Sequence, residues 1–137
     1  MKLNKKAILF GATLDLGLSA FFSQILYAII GYWSIAKGTP ASEVIATANS
    51  YNLFYYLLIG LGLNFDVMGG YAAAKIANKN HIAHSAVASI PVLIFNALNY
   101  YSPWGTHSLL SLLLCLPAFI YGGWSIHSLT HSLSGTR

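Results

Sequence analysis

The sequence predicts an all-α integral membrane protein, a single domain of four transmembrane helices packed as a bundle. Of its 137 residues, 56% are hydrophobic and only 7% are charged, whereas about a quarter of the residues in a soluble domain are charged. Four apolar stretches are each long enough to cross the ~30 Å hydrocarbon core of a bilayer as a helix. The seven basic residues lie at the ends of these stretches and form no patch, so nucleic acid is not an expected partner.

The single cysteine excludes several kinds of cysteine site, and the N-terminus indicates whether the first apolar run is retained. Cys115 lies in an apolar run, and a lone thiol excludes an internal disulfide, a CxxC redox pair and a cysteine zinc cluster. The N-terminus resembles a signal peptide in having lysines before an apolar run. That run contains Asp15, continues to Trp33 and lacks a convincing small-x-small cleavage site, so we expect it to remain as the first span.

The predicted spans cover residues 7–33, 51–77, 82–101 and 108–129. Span one ends at Tyr32 and Trp33, whose rings suit the headgroup level. Thr39 and Pro40 then have the form of a helix start, a hydroxyl N-cap followed by proline. The helix predicted over residues 40–48 is too short to span the bilayer and is expected to lie at the membrane interface between spans one and two.

The later spans are separated by two turns of different composition. A short polar link from Asn78 to His81 predicts a helical hairpin between spans two and three. An aromatic turn over residues 100–105 joins spans three and four. Pro91 in span three and Pro117 in span four are expected to kink their helices.

The positions of lysine and arginine predict that both chain termini are cytoplasmic, because loops rich in these residues stay on the cytoplasmic side. Six of the seven basic residues lie before span one, between spans two and three, or at the C-terminus: Lys2, Lys5, Lys6, Lys75, Lys79 and Arg137. Only Lys37 falls on the other side, where seven of the nine tyrosines are also expected. The predicted topology is therefore N-in and C-in.

Two aspartates at membrane depth are the most informative polar residues. Asp15 lies nine residues beyond Lys6, and Asp66 lies nine residues before Lys75, which places both carboxyls ~13 Å along a helix from one interface. A charge at this depth costs ~2.5–3.5 kcal/mol on insertion scales unless it faces protein or water. We therefore expect the tightest helix contact between spans one and two, with the two carboxyls facing each other inside the bundle.

Two interpretations of this pair stay open. Two carboxylates at close range cannot easily both ionise, so a proton or a bridging cation is expected between them. On the functional interpretation this is a proton-relay or cation site, with Ser19, Asn64 and Asn96 as further members. On the structural interpretation each aspartate hydrogen-bonds a neighbouring helix through the same polar groups.

Glycines on the span faces predict close helix packing. The candidates are Gly11, Gly62, Gly69, Gly70, Gly122 and Gly123. On span two, Gly62, Asp66 and Gly70 recur every four residues and so share one face. The segment 68–71 (MGGY) also echoes 121–124 (YGGW), which indicates either an internal two-plus-two repeat or the ordinary use of small residues at helix contacts.

Four histidines at the inner ends of spans three and four form a second candidate site. His81 and His84 are spaced i, i+3, and His127 and His131 are spaced i, i+4, so each pair could present two imidazoles from one helix face to a metal or haem. No cysteine or nearby carboxylate supplies a third ligand, and interfacial histidines are commonly solvated. No cofactor is therefore predicted, with metal or haem as the alternative.

Short glycine-rich motifs recur in three of the spans. They are Phe10-Gly11 and Leu14-Asp15-Leu16-Gly17 in span one, Gly69-Gly70-Tyr71-Ala72-Ala73-Ala74-Lys75-Ile76-Ala77 in span two with His84 following, and Gly122-Gly123-Trp124 in span four. They resemble the G-x-x-x-D-like first helix, GGYxAAxxA second helix and GGW-type last helix of small four-span bacterial inner-membrane proteins of unknown function. The resemblance implies a multi-pass protein of the bacterial inner (plasma) membrane and brings no catalytic residues. Asp66 departs from it, since an apolar or small residue is more usual there.

Helix-packing signals are abundant and reactive groupings are scarce, which favours a non-enzymatic structural or accessory subunit. Its expected partners are the lipid bilayer, further copies of the chain or other membrane subunits. Two alternatives remain: a proton- or cation-coupled transporter or channel subunit using Asp15 and Asp66, and a histidine-based metal- or haem-binding protein. A polar cavity that reaches Asp66 would favour the transporter, whereas a filled interior would favour the structural subunit.

Overall fold

The computed structural model describes residues 3–50, 52–99 and 109–134, and the predicted all-α class is confirmed. Its helices are α1 (Lys5–Ala36), a 3-10 turn (Ala41–Glu43), α2 (Val44–Ser50), α3 (Asn52–Ala77), α4 (His81–Asn99) and α5 (Leu109–Ser134). Four of these, α1, α3, α4 and α5, are long and apolar enough to cross a membrane. They correspond to spans one to four.

The first helix extends beyond its predicted range at both ends. A capping residue sets its start, and a glycine follows its end. The side chain of Asn4 caps its start, where Oδ1 accepts hydrogen bonds from the Lys6 and Ala7 amides at 3.1 and 3.4 Å. Its end is followed by Gly38 at φ 91°, a left-handed conformation that glycine adopts without a steric penalty.

The short helix between spans one and two begins differently from the prediction. Thr39 does not cap it: its amide donates to the Ser34 carbonyl at 3.0 Å, and Pro40 precedes the 3-10 turn with no side-chain cap. The helix then packs on α1, with Val44 against Gly31. Its place at a membrane interface stays a prediction.

The hairpin between α3 and α4 is confirmed and turns over three residues. Asn78 and Asn80 have positive φ angles of 58° and 52°, a region in which asparagine is several-fold enriched among non-glycine residues. Pro91 and Pro117 lie inside α4 and α5, and each helix continues past its proline. The aromatic turn predicted over residues 100–105 lies outside the described residues.

The four long helices alternate in direction, so the described chain ends and the α3–α4 turn lie at one end of the bundle. We call the half at this end the terminal half and the opposite half the distal half. The pair α1 and α3 was predicted to make the tightest contact, and this is wrong: α3 with α5 is the most extensive pairing, followed by α1 with α3. Both α1 and α5 pack on the α3–α4 pair. The core contains Ala12, Ala73, Ala88, Val92, Cys115 and Phe119.

Glycines bring α3 and α5 together in the terminal half. A Cβ atom at Gly70 would collide with the backbone carbonyl of Phe119, and one at Gly122 would collide with that of Val67. One glycine of each of the two pairs that echo each other in the sequence, Gly70 and Gly122, lies in this interface, where the absence of side chains lets the backbones approach closely.

The same half is closed on its other sides by small residues. A Cβ at Gly11 would lie 2.6 Å from the Gly69 carbonyl oxygen, which fixes α1 against α3. Gly123 faces the Ser85 hydroxyl of α4, and that hydroxyl donates to the Gly70 carbonyl at 2.7 Å. The terminal half is thus packed backbone against backbone.

Gly62 is the exception among the predicted packing glycines. A Cβ placed on it would meet none of the described residues within 4 Å, although it shares its helix face with Gly70. The prediction that Gly62 packs against a helix is therefore wrong. In the distal half Gly62 lines a cavity to which all four long helices contribute side chains.

Candidate functional site

Asp15 and Asp66 meet where the packed terminal half gives way to the open distal half. They come from α1 and α3, and their side chains are only 1% and 6% exposed. They are close enough to interact electrostatically, and both line the same cavity. The structure thus brings together the two carboxyls that the sequence places at one depth.

The cavity has a volume of about 250 Å³ and extends from the two carboxyls into the distal half. Its wall is mostly apolar, and its polar groups besides the aspartates are Ser19, Ser23, Gln24, Tyr27, Asn96 and Ser111. Gln24 and Phe95, which also line it, are exposed at the outer surface of the helices. The cavity is therefore open to the exterior in the distal half, and its floor lies at the aspartates.

Asp66 has a direct partner on α5. Its Oδ1 accepts a hydrogen bond from the Cys115 thiol over 3.2 Å, and Cys115 is fully buried. Sequence reasoning missed this contact, because Cys115 lies in a run of leucines without a polar pattern. Only the pairing of α3 with α5 brings the two side chains together.

Asp15 is less well satisfied than Asp66. Its Oδ1 is buried and has no hydrogen-bond partner in the described part of the chain, while Ser19 lies beside the same carboxyl group one turn further along α1. A buried charged or polar oxygen without a partner is costly by a few kcal/mol. The Asp15 carboxyl is therefore suited to binding a proton or, once its side chain turns toward the cavity, a cationic group.

Of the other predicted members of the site, two line the cavity and one does not. Ser19 and Asn96 line the cavity, with Asn96 at 9% exposure. Asn64 does not: it is exposed, and its side-chain amide donates to the Gly60 carbonyl of its own helix at 2.7 Å. The prediction that Asn64 joins the aspartates is wrong, because two residues along a helix turn the side chain by about 200° from Asp66.

The histidines do not form the pairs that the sequence spacing predicts. Both ring nitrogens of His84 are occupied by backbone groups: Nε2 accepts from the Asn4 amide at 2.8 Å, and Nδ1 therefore carries the proton and donates to the Asn80 carbonyl at 3.0 Å. His81 instead lies across from His127, with ring centroids 6.2 Å apart. The side chain of His131 is outside the described part of the chain.

A metal or haem at these histidines stays a prediction, although backbone groups engage both ring nitrogens of His84. His84 could ligate a metal only by giving up one of its two hydrogen bonds to backbone groups. Within residues 3–50, 52–99 and 109–134, no three His, Cys, Asp or Glu side chains are grouped so that they could hold a metal ion. His81 also uses Nδ1 in a contact of 3.0 Å with the Ala74 carbonyl.

His84 holds the start of α1 against α4, which leads to a stability prediction. We expect His84→Ala to lower the free energy of unfolding by about 1–3 kcal/mol, since it removes two partly buried hydrogen bonds to the backbone. Thermal denaturation in detergent measures this loss, and limited proteolysis should show faster cleavage near Asn4. His127→Ala, at a half-buried position, should cost less; equal losses would contradict this role of His84.

A Ser-x-x-Lys spacing at Ser34 and Lys37, near the end of α1, does not form a catalytic dyad. The Lys37 ammonium lies over the Trp33 ring at 3.7 Å from its centroid. This position favours a cation–π contact over activation of the serine hydroxyl.

No family model matches this sequence, and no curated protein or solved structure is significantly similar to it. The resemblance to small four-span bacterial proteins therefore stays an expectation. The geometry of the acidic cavity is the basis on which a function can be inferred.

Proposed function

We propose that the protein is a small proton- or cation-coupled membrane transporter in which Asp15 and Asp66 carry the exchangeable charge. The observation that carries this proposal is the cavity that is open in the distal half and ends at two buried carboxyls. A filled interior would have favoured a purely structural role. This proposal therefore replaces the structural subunit as the preferred function.

The energetics of the two carboxyls support an exchangeable charge. Two neighbouring carboxylates in a poorly solvated site repel each other, so the pair is stabilised by one proton or by one bound cation. A cavity that reaches Asp15 and Asp66 allows that proton or cation to enter and leave. Buried ionisable groups within apolar helices commonly mark such pathways.

The contrast between the two halves supports a carrier rather than a pore. The distal half is open down to Asp66, whereas the terminal half is closed by backbone contacts such as Gly70 with Phe119. A carrier exposes a site near the middle of the membrane to one side at a time. An open distal half and a closed terminal half would suit one such state, and the opposite state would require α3 and α5 to part in the terminal half.

We further propose that α1, α3, α4 and α5 cross the bacterial inner membrane with both termini in the cytoplasm. The distribution of lysine and arginine supports this orientation. The cavity would then open to the outside. Because four helices enclose little space, we propose that the working unit is a homo-oligomer.

The test replaces each aspartate by asparagine, which removes the charge and keeps the shape. Wild-type protein in liposomes on a solid-supported membrane should give a transient charge movement after a pH jump. Asp15→Asn and Asp66→Asn should each reduce it at least ~10-fold, because the exchangeable proton is lost. Size-exclusion profiles and helix content should not change.

The matched control is Asn64→Ala, because the Asn64 amide points away from the cavity and bonds only within α3. Its charge movement should equal that of the wild type. A double variant, Asp15→Asn with Asp66→Asn, that still gives the full charge movement would refute the proposed function and restore the structural one.

A second candidate function remains a structural or accessory subunit, and one observation favours it. Only 11% of an 18-residue apolar stretch of α1 is buried inside the protein, compared with 44% of the corresponding stretch of α3. The helix α1 therefore has a broad apolar face available to lipid, to a second copy or to another membrane subunit. This role predicts that both Asp→Asn substitutions change assembly and not charge movement.

A further inference from the structure

The geometry points to a monovalent organic cation with an apolar body, an aryl-alkylammonium of about ten non-hydrogen atoms, as the ligand of the acidic cavity. This inference rests on the proposed function, in which Asp15 and Asp66 carry the exchangeable charge. It adds the chemical class of the substrate, argued from the charge, walls and volume of the cavity.

The charge of the cavity selects for a cation. Asp15 and Asp66 form its floor, and no Lys, Arg or His is among the described residues that line it. The two carboxyl groups would repel an anion, and a neutral ligand would not compensate the negative charge of the pair. The Asp15 carboxyl, whose buried Oδ1 has no hydrogen-bond partner among the described residues, is the acceptor that an ammonium N–H group would use.

The walls above this floor suit an apolar and aromatic body. Phe22 of α1 and Phe65 of α3 lie with ring centroids 5.2 Å apart, and both line the cavity. Phe95 and Tyr27 add two further rings along its length. Aromatic rings bind other rings at such distances and attract cations to their faces.

The volume and the donor set argue against a small metal ion. About 250 Å³ is the volume of roughly eight water molecules at ~30 Å³ each, so a bare ion would leave most of it unused. A Ca²⁺ ion takes six to eight oxygen ligands, whereas Asp66 Oδ1 already accepts from Cys115. A ligand with an ammonium group and a phenyl ring can bind the carboxyls through its charge and pack against the apolar walls through its ring.

Binding to purified protein in nanodiscs tests this class with four probes: phenylethylammonium, 2-phenylethanol, methylammonium and Ca²⁺. Isothermal titration should give a dissociation constant for phenylethylammonium at least ~10-fold lower than for the alcohol, which lacks the charge, and for methylammonium, which lacks the ring. Asp66→Asn should weaken phenylethylammonium binding by at least ~30-fold. Asn64→Ala should bind it as the wild type does.

The outcomes separate this inference from the function on which it rests. Equal binding of the amine and the alcohol, or tighter binding of Ca²⁺ or methylammonium, would overturn the organic-cation class while the charge movement after a pH jump persists. If Asp15→Asn and Asp66→Asn leave the charge movement intact, the proposed function itself fails, whatever the amine does.

Discussion

Replacing Gly70 by valine is expected to prevent α3 and α5 from assembling. A Cβ at this position collides with the backbone of Phe119, including its carbonyl oxygen. Backbone atoms cannot move aside as the end of a flexible side chain can, so the two helices must separate. Overpacked cores typically lose ~1–3 kcal/mol and occasionally more, and we expect Gly70→Val to lie at or above the top of that range.

Unfolding by increasing mole fractions of sodium dodecyl sulfate, followed by tyrosine and tryptophan fluorescence, measures this loss. The matched control is Gly17→Val on α1, where a Cβ would have no atom of the described ranges within 4 Å. Both substitutions introduce the same β-branched residue into a helix, so their difference reports the collision with Phe119. Equal stability of the two variants would show that α3 and α5 do not approach as closely as the structure has them.

The packing of α3 on α5 could not be predicted from the sequence, because a helical pattern does not identify the partner helix. Spacing shows which residues share a face, and it correctly grouped Gly62, Asp66 and Gly70. It does not show which helix that face meets, or where two helices diverge. Gly70 therefore proved to contact α5, while Gly62, two turns away on the same face, borders a cavity.

The meeting of Asp15 and Asp66 could be predicted because two independent signals agreed. The lysines at the interface gave the depth of each carboxyl, and the cost of a charge in lipid required both to face inward. Cys115 carried no such signal, since a thiol in an apolar run is an ordinary core residue. Its contact with Asp66 depends on α3 and α5 running side by side in the same direction.

The histidines show a case in which sequence spacing predicted the wrong contacts. Their spacing predicted metal-like pairs, but spacing does not reveal what already occupies the ring nitrogens. The backbone amide of Asn4 reaches His84 from a distance of 80 residues in sequence. Such a contact follows from the parallel packing of α1 and α4, which no local pattern predicts.

Replacing Gly62 by leucine is expected to abolish binding of phenylethylammonium while leaving the aspartates intact. Gly62 lines the cavity and has nothing within 4 Å of its missing side chain, so leucine enters free space without displacing a helix. Its four carbons occupy a large part of a cavity of about 250 Å³. We expect the dissociation constant for phenylethylammonium to rise at least ~30-fold, measured by titration in nanodiscs, because filling a pocket removes the ligand's apolar contacts.

The matched control is Gly60→Leu, which adds the same side chain half a turn away on α3. Gly60 is exposed, does not line the cavity and also has nothing within 4 Å, so binding should not change. The charge movement after a pH jump should survive Gly62→Leu, because a proton needs only a water-sized path to Asp66. Unchanged binding in Gly62→Leu would place the ligand elsewhere. Gly62→Leu changes the volume of the site, whereas Asp66→Asn changes its charge. We expect both variants to lose binding of phenylethylammonium and only Asp66→Asn to lose the charge movement. That pattern requires one site whose volume and charge both contribute to binding.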